Sequence, residues 1–183
     1  MHRDGYSAMK LRKGSDGAAG FKFGIVVATF NRGVTRHLLA ACLDGLTTQG
    51  VAAGDIEVVQ VPGAFELPLA ARALARSGRV EAVICLGAVI RGETPHFEYI
   101  SAEASRGIGQ AAMETGVPII FGVLTTDTVA QARERADPGK FNRGGTAAQS
   151  AIEMARVMRR IRGKADKLTS DGLAGQKRAR RKR

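Results

Sequence analysis

A ten-residue segment combines a side chain suited to proton transfer with a turn that could bind an anion. The segment RGETPHFEYI, residues 91–100, places His96, one of three histidines in the chain, just after Gly92, Glu93 and Thr94. Backbone amides at the start of a helix, together with a threonine hydroxyl, form a common anion site. Imidazole changes its charge near neutral pH and often carries protons in catalysis. The segment therefore predicts acid–base chemistry on an anionic substrate, although a passive loop histidine fits the residue types as well.

Two other segments supply groups suited to holding a flat, polar molecule. Phe30 follows the apolar run that ends at residue 29, and Phe65 and Glu66 follow a second apolar run. An exposed phenylalanine can stack on a heterocycle, and a carboxylate can accept hydrogen bonds from hydroxyl groups. Each also has a purely structural interpretation, Phe30 as a lid on the core and Glu66 as a favourable charge at a helix start. The residue types alone leave both interpretations open.

The elements that must position these residues alternate between strand and helix. Continuous apolar runs are typical of strands covered on both faces, and hence of a parallel sheet. Repeated strand–helix units predict an α/β sandwich with right-handed crossovers, in which ligands bind beyond the carboxyl ends of the strands. The candidate residues all follow strand ends, so we expect them at one rim of the sheet. The predicted strands are 21–29, 56–61, 81–90 and 117–125, and helices follow each of them, the third from Tyr99 and the last from Thr146.

Several chemistries have no motif in the sequence. It contains no metal-ligand spacing, no glycine-rich loop for a nucleoside triphosphate or a dinucleotide, and no nucleophile elbow. Cys42 and Cys85 lie within apolar patterns and are expected to be buried free thiols, which fits a reducing, cytoplasmic location. No apolar run reaches the length of a membrane span, and the N-terminus lacks the apolar stretch of a secretory signal.

The net charge of +11 is concentrated at the C-terminus. Residues 156–183 hold 12 of the 28 Lys/Arg and only 2 of the 17 Asp/Glu, which leaves the rest of the chain at +1. The end of the chain has few large apolar residues, so we predict a disordered basic tail at 163–183 and a flexible arm at 1–20 around one domain at 21–162. The tail could bind RNA or another polyanion, or it could simply be a solvated end.

The chain resembles the lumazine synthase family in five blocks that span about residues 21–160: ATFN, VPGAFELPLAARALA, LGAVIRGETPHFEYI, GVPIIFGVLTT and NRGGTAAQSAIEMA. The resemblance implies a flavodoxin-like three-layer α/β sandwich with a four-stranded parallel sheet. It also implies a cytoplasmic transferase of riboflavin biosynthesis that needs neither cofactor nor metal. Such enzymes condense 5-amino-6-(D-ribitylamino)uracil with 3,4-dihydroxy-2-butanone 4-phosphate and release phosphate and water. Family members form homopentamers, and in some of them twelve pentamers close into an icosahedral shell.

The resemblance also implies a role for each candidate residue. His96 would transfer protons, Phe30 would stack on the pyrimidine ring, and Glu66 would accept hydrogen bonds from the ribityl hydroxyls. Phosphate would lie on the amides of Glu93 and Thr94 and on the Thr94 hydroxyl. The adjacent subunit would contribute Phe121 and Arg135, with Arg135 pairing with the phosphate through its planar fork. The remaining contacts, to the ribityl chain and to the ring, would come from Ala64, Phe65, Ala88, Val89 and Ile90.

The sequence departs from the family pattern at two positions. Arg143 stands where lysine is usual, which keeps the charge but changes its reach and hydrogen-bond geometry. Thr146 stands where an acid is usual, placed to support the histidine, so we expect His96 to bind protons less readily than in relatives with that acid. The segment between Arg135 and Arg143 is short, as in shell-forming members, and favours a 60-subunit shell over a pentamer or a decamer.

Two other functions remain alternatives at this level. A shell protein that has lost turnover could use its tail on nucleic acid, but it would have little reason to retain Phe30, Glu66, His96 and Arg135 together. A flavin-binding protein of the same fold is the other. It would need a phosphate-binding loop after the first strand, and ATFNRG offers only one glycine and no serine or threonine cluster.

Overall fold

Four parallel strands form a single sheet in the order β2-β1-β3-β4, with helices on both faces. The computed structural model describes residues 17–180, and side chains as far as residue 163. This architecture confirms the predicted three-layer α/β fold. The strands are β1 (Phe23–Ala28), β2 (Ile56–Val61), β3 (Ala82–Ile90) and β4 (Ile119–Thr126), and the helices are α1 (Arg32–Thr48), α2 (Leu67–Arg76), α3 (His96–Thr115), α4 (Val129–Ala136) and α5 (Arg143–Arg180).

The burial of the strands follows their place in the sheet. Every residue of β1 is buried, and so is every residue of β3 except Ile90, because helices cover both faces of these central strands. The two edge strands are only partly covered, and they leave Val58 of β2 and Phe121 of β4 at 40% and 44% exposed. The continuous apolar runs in the sequence therefore identified the two central strands correctly.

Two apolar cores lie on opposite faces of the sheet. Leu38 of α1 and Ile152 of α5 pack in one core, and Leu67 of α2 and Ile108 of α3 pack in the other. The backbones of α1 and α5 approach closely at Gly144, where an added Cβ would lie 2.2 Å from the carbonyl oxygen of Leu38. A glycine is therefore required here, and it fixes the first turn of α5 against α1.

Two helix starts differ from the prediction. Helix α3 begins at His96 rather than Tyr99, because Pro95 can precede a first turn and the helix needs no side-chain cap. Helix α5 begins at Arg143 rather than Thr146, since Asn142 adopts a left-handed conformation with φ 45° and its Oδ1 accepts a hydrogen bond from the Gly145 amide at 3.0 Å. The candidate residues His96 and Arg143 thus lie in the first turn of a helix instead of in a loop.

The ends of the chain lie partly outside the described residues. Of the predicted arm, residues 1–16 are not described, whereas Ala18 is fully buried and its amide donates to the Gln49 carbonyl. The backbone of α5 continues helical to Arg180, into the segment for which composition predicted disorder. The division of the chain at residue 163 remains a prediction. Within the described part, no helix is long and apolar enough to cross a membrane.

Candidate active site

The predicted rim of strand ends forms an open cleft of about 640 Å³, here called the first cleft. It lies beyond the carboxyl ends of β1 and β3, where this fold class binds its ligands. Most of the candidates chosen from the sequence line it, and Asn31, Gly92, Phe97 and Ile100 join them. The candidates that it brings together are Phe30, Ala64, Phe65, Glu66, Ala88, Val89, Ile90, Thr94 and His96.

The end of β1 presents Phe30 to solvent. Its side chain is 72% exposed, so it does not serve as a lid on the core. The backbone holds it in place, because the Phe30 amide donates to the Pro62 carbonyl at 2.9 Å. The next residue, Asn31, has φ 57°, and its Nδ2 donates to the Ala88 carbonyl at 2.8 Å. This bond ties the end of β1 to the end of β3 and leaves one face of the Phe30 ring available for stacking.

The end of β3 offers backbone groups to the same cleft. Pairing between β1 and β3 stops at Val27 and Leu86, whereas pairing between β3 and β4 continues to Ile90. The last residues of β3 therefore have no strand partner on the β1 side. On that side of the described chain, the Asn31 side chain donates a hydrogen bond to the Ala88 carbonyl and leaves the other backbone groups free. Backbone donors and acceptors in this position can read the edge of a planar heterocycle.

The wall opposite β3 starts with a short turn of 3-10 helix, Ala64–Glu66. Oε2 of Glu66 accepts a hydrogen bond from the Gly63 amide at 2.9 Å, which is the helix-start role considered from sequence. Its Oε1 has no partner among the described residues, so the same carboxylate can still accept from a ligand hydroxyl. Phe65 beside it is 56% exposed. The structural and the binding interpretations of Glu66 are thus compatible.

The loop between β3 and α3 completes the first cleft. Within the described chain, the amides of Gly92, Glu93 and Thr94 donate to no backbone acceptor, and they precede the positive end of α3. The side chain of Glu93 is exposed and does not line the cleft, so only its amide suits an anion. His96 follows as the first residue of α3, also exposed, with no hydrogen bond to its ring from the described residues. An anion on these amides would lie within the reach of a proton donor.

The remaining candidates line a different and smaller cleft of about 300 Å³, the second cleft, formed by Phe121, Arg135, Arg143 and Thr146 with their neighbours on β4 and α5. Nη1 of Arg135 donates to the Gln131 carbonyl at 3.1 Å, and its guanidinium lies 5.6 Å from the Phe141 ring centroid. The Thr146 hydroxyl donates to the Asn142 carbonyl at 3.0 Å. A single chain therefore keeps the two arginines apart from Phe30 and His96.

The comparison with known proteins agrees with these features. Residues 20–159 match the model of the 6,7-dimethyl-8-ribityllumazine synthase family. The chain belongs to this family. A curated relative from Syntrophus aciditrophicus (strain SB), named 6,7-dimethyl-8-ribityllumazine synthase, is 60% identical over 144 residues, which are 79% of this chain and 94% of the relative.

The two cysteines of this lumazine synthase family member lie outside both clefts. Cys42 and Cys85 are free and buried, as predicted, and burial raises the pKa of each thiol to about 12. Neither can supply a thiolate near neutral pH. Among the described residues, no cluster of three His, Cys, Asp or Glu could hold a metal ion. Glu66 and His96 are the titratable side chains that line the first cleft.

Two residues that shape the first cleft and its loop are absent from the sequence prediction. The first is Asn31, and a usable signal for it existed, because asparagine is among the few residues that adopt left-handed backbone readily. The second is Arg91, the first residue of the segment 91–100, whose guanidinium is engaged by Glu98 and Asp127. Glu98 lies in the same segment, but Asp127 is 36 residues away, so the sequence does not predict the two pairings together.

Proposed function

We propose that this chain catalyses the condensation of 5-amino-6-(D-ribitylamino)uracil with 3,4-dihydroxy-2-butanone 4-phosphate to give 6,7-dimethyl-8-ribityllumazine. The reaction is the transferase step of riboflavin biosynthesis that the family name describes. The observation that carries the proposal is the first cleft, which brings four groups together. They are an exposed Phe30, a Glu66 carboxylate with only Oε2 hydrogen-bonded, free amides at 92–94, and His96. These are the groups that a flat ring, a polyhydroxyl chain, a phosphate and a proton transfer require.

Binding of the amine substrate uses the ends of β1 and β3 and the turn of 3-10 helix. The pyrimidine ring stacks on Phe30, and the backbone of Ala88, Val89 and Ile90 reads its polar edge. The ribityl chain lies along Ala64 and Phe65, and its hydroxyls donate to the free Oε1 of Glu66. Holding both reactants in one cleft supplies proximity and orientation, which are the main needs of two intrinsically reactive partners.

The covalent steps need a modest contribution from the protein. The 5-amino group attacks the ketone and water leaves to form an imine. Loss of phosphate then gives an enol, which tautomerises to a ketone, and the ribitylamino nitrogen closes the ring with loss of a second water. His96 transfers the protons that these steps exchange. The amides of Glu93 and Thr94, with the Thr94 hydroxyl, bind the phosphate group as it departs.

The second cleft supplies the cations that the first cleft lacks. The guanidinium of Arg91 is shared between two carboxylates, and among the described residues no Lys or Arg lines the first cleft. Phe121, Arg135 and Arg143 of an adjacent subunit complete the site in our proposal, with both arginines near the phosphate. Strand β4 is an edge of the sheet and leaves Phe121 exposed, which suits contact with a second copy. A homopentamer, and a 60-subunit shell favoured by the short segment before Arg143, are the assemblies proposed.

One measurement tests the reaction and the assembly together. Purified protein is mixed with the two substrates, lumazine fluorescence is followed, and the same sample is analysed by size exclusion. We expect fluorescence that needs both substrates and elutes with an oligomer. A well-folded oligomer that produces no lumazine would favour the alternative of a shell without turnover. Activity in a fraction that elutes as a monomer would contradict the shared site.

The basic C-terminal segment carries a second, separate proposal, a contact with RNA or another polyanion. Its support is the concentration of charge, since 12 Lys/Arg and 2 Asp/Glu lie in residues 156–183. Binding of a fluorescent single-stranded RNA is compared between the full chain and a chain ending at Gly163. We expect the full chain to bind more tightly, with an affinity that falls steeply as salt rises. Equal binding by both chains would overturn it.

A cytoplasmic location is likewise a proposal, supported by the two free thiols.

A further inference from the structure

Arg91 directly follows β3 and is the first residue of the loop 91–95 between β3 and α3. Its side chain contacts residues in two other parts of the chain. Its Nε donates to Oδ1 of Asp127 at 2.8 Å, and its Nη1 pairs with Glu98. The guanidinium also lies over the Phe97 ring, 4.2 Å from the centroid. The backbone amide of Arg91 donates to the Thr126 carbonyl at 2.9 Å. One side chain thus connects the end of β3, the first turn of α3 and the residue that follows β4.

These contacts enclose the loop that carries the phosphate-binding amides. The loop leaves β3 at Arg91 and enters α3 before Glu98, so the Arg91–Glu98 pair joins its two ends. Within the described chain, Gly92, Glu93 and Thr94 make no backbone hydrogen bond that would fix their orientation. Phe97, which Arg91 covers, lines the first cleft together with Thr94. The position of the amides therefore depends on how the ends of the loop are held.

We propose that Arg91 is a positioning residue that holds the amides of residues 92–94 and the ring of His96 in place for the phosphate substrate without contacting the phosphate itself. The inference rests on the proposed function. Its physical basis is that two carboxylates, Glu98 and Asp127, already outweigh the single positive charge of the guanidinium. The planar fork of arginine can pair with two acids along different edges while its face lies on an aromatic ring, which a lysine ammonium cannot do.

The first test separates the two substrates kinetically. In Arg91→Gln we expect the KM for 3,4-dihydroxy-2-butanone 4-phosphate to rise about tenfold, as a misplaced anion site weakens. The KM for the amine substrate should stay within about twofold, because Phe30 and Glu66 are not held by Arg91. Arg91→Lys should recover little of this loss, since an ammonium has no planar fork that can pair with acids along two edges while its face lies on the Phe97 ring. Hydrogen–deuterium exchange should be faster at residues 92–98 in both variants, with assembly checked by size exclusion.

The decisive experiment changes Glu98 and Asp127, the two acids that pair with Arg91, and keeps the arginine. Glu98→Gln with Asp127→Asn releases the guanidinium charge and loosens the loop at the same time. If Arg91 only positions the loop, this variant binds inorganic phosphate more weakly than the unmodified protein. If Arg91 binds phosphate directly, the freed charge makes binding tighter, and the proposal is overturned. Unchanged phosphate binding and unchanged exchange at 92–98 would overturn it as well.

Arg106→Gln is a control, because it removes another exposed arginine–glutamate pair, in which both residues lie in α3 and outside the loop. It should leave phosphate binding and exchange at 92–98 unchanged. The outcomes remain distinct from those of the proposed function. If the unmodified protein makes no lumazine, the proposed function fails, whereas the phosphate-binding and exchange arms still report on Arg91.

Discussion

The first and second clefts differ in what they can bind. The first offers exposed aromatic rings, free amides, one carboxylate and a histidine, whereas the second offers two arginines beside one phenylalanine. The reaction proposed above, between a phosphorylated substrate and a flat partner, would use both sets of groups. This difference is the reason for proposing a site shared between two copies.

The two clefts also differ in construction. The first is built from loops and backbone at the ends of β1 and β3, with Asn31 bonded to Ala88 across the strands. The second is built on the edge strand β4 and the first turns of α5, where Gly144 allows close packing against α1. In the proposed site, backbone groups of the first cleft would bind the ring and the phosphate, and the arginine side chains of the second cleft would reach across an interface.

Removal of the histidine should produce the largest loss at the first cleft. In His96→Ala we expect kcat to fall by about 10²–10⁴-fold, the usual contribution of one acid–base group, without abolishing turnover. Residual activity is expected because proximity and phosphate binding remain. Steady-state fluorescence assays on the assembled oligomer measure it. A complete loss, comparable with removal of a covalent nucleophile, would contradict the assigned division of labour.

Removal of the Arg135 side chain should reduce activity by a similar or smaller factor at the second cleft. In Arg135→Ala we expect kcat/KM to fall by about 10²–10³-fold, as when one group that stabilises developing charge is deleted. The loss should appear chiefly with the phosphate substrate. A change confined to the KM of the amine substrate would place Arg135 elsewhere in the site.

Mixing the two inactive variants tests directly whether the clefts meet across subunits. When His96→Ala and Arg135→Ala chains are unfolded together and reassembled in equal amounts, about a quarter of the interfaces carry both intact halves. Activity should rise to about that share of the unmodified protein. The double variant His96→Ala/Arg135→Ala, reassembled with unmodified chains, is the matched control. No recovery in correctly assembled mixtures would show that the two residues do not share a site.

The first cleft could be predicted from sequence more fully than the second. Phe30, Glu66 and His96 follow strand ends, and the topology rule for parallel sheets brings such positions together. The second cleft depends on which helix faces approach β4, and apolar periodicity does not specify this. Helix starts were misplaced at His96 and Arg143 because local φ/ψ choices at Pro95 and Asn142 decided them. The partners of Arg91 could not be predicted, since tertiary packing brings Asp127 to it from 36 residues away.

Stacking in the first cleft can be tested at Phe30. In Phe30→Ala we expect the KM for the amine substrate to rise by about 5- to 140-fold, because stacking of a heterocycle on an aromatic ring contributes about 1–3 kcal/mol. The side chain is 72% exposed, so the free energy of unfolding should change little. Phe30→Tyr keeps the ring and should keep the KM. An equal rise for both substrates would indicate a disturbed loop instead of lost stacking.

The smallest expected effect concerns Thr146, at a position where the family resemblance predicts an acid. If the second cleft of one subunit faces the first cleft of the next, Thr146→Glu brings a carboxylate near His96 and favours its protonated ring. The midpoint of the ring titration, followed by NMR, should then move to higher pH, and the acidic limb of the pH–rate profile should move with it. The rate near neutral pH should change less than tenfold, since one group is retuned and none is lost. Thr146→Gln matches the size without the charge and should leave the titration unchanged. Coincident titration curves for Thr146→Glu and the unmodified protein would show that a carboxylate at this position does not act on His96.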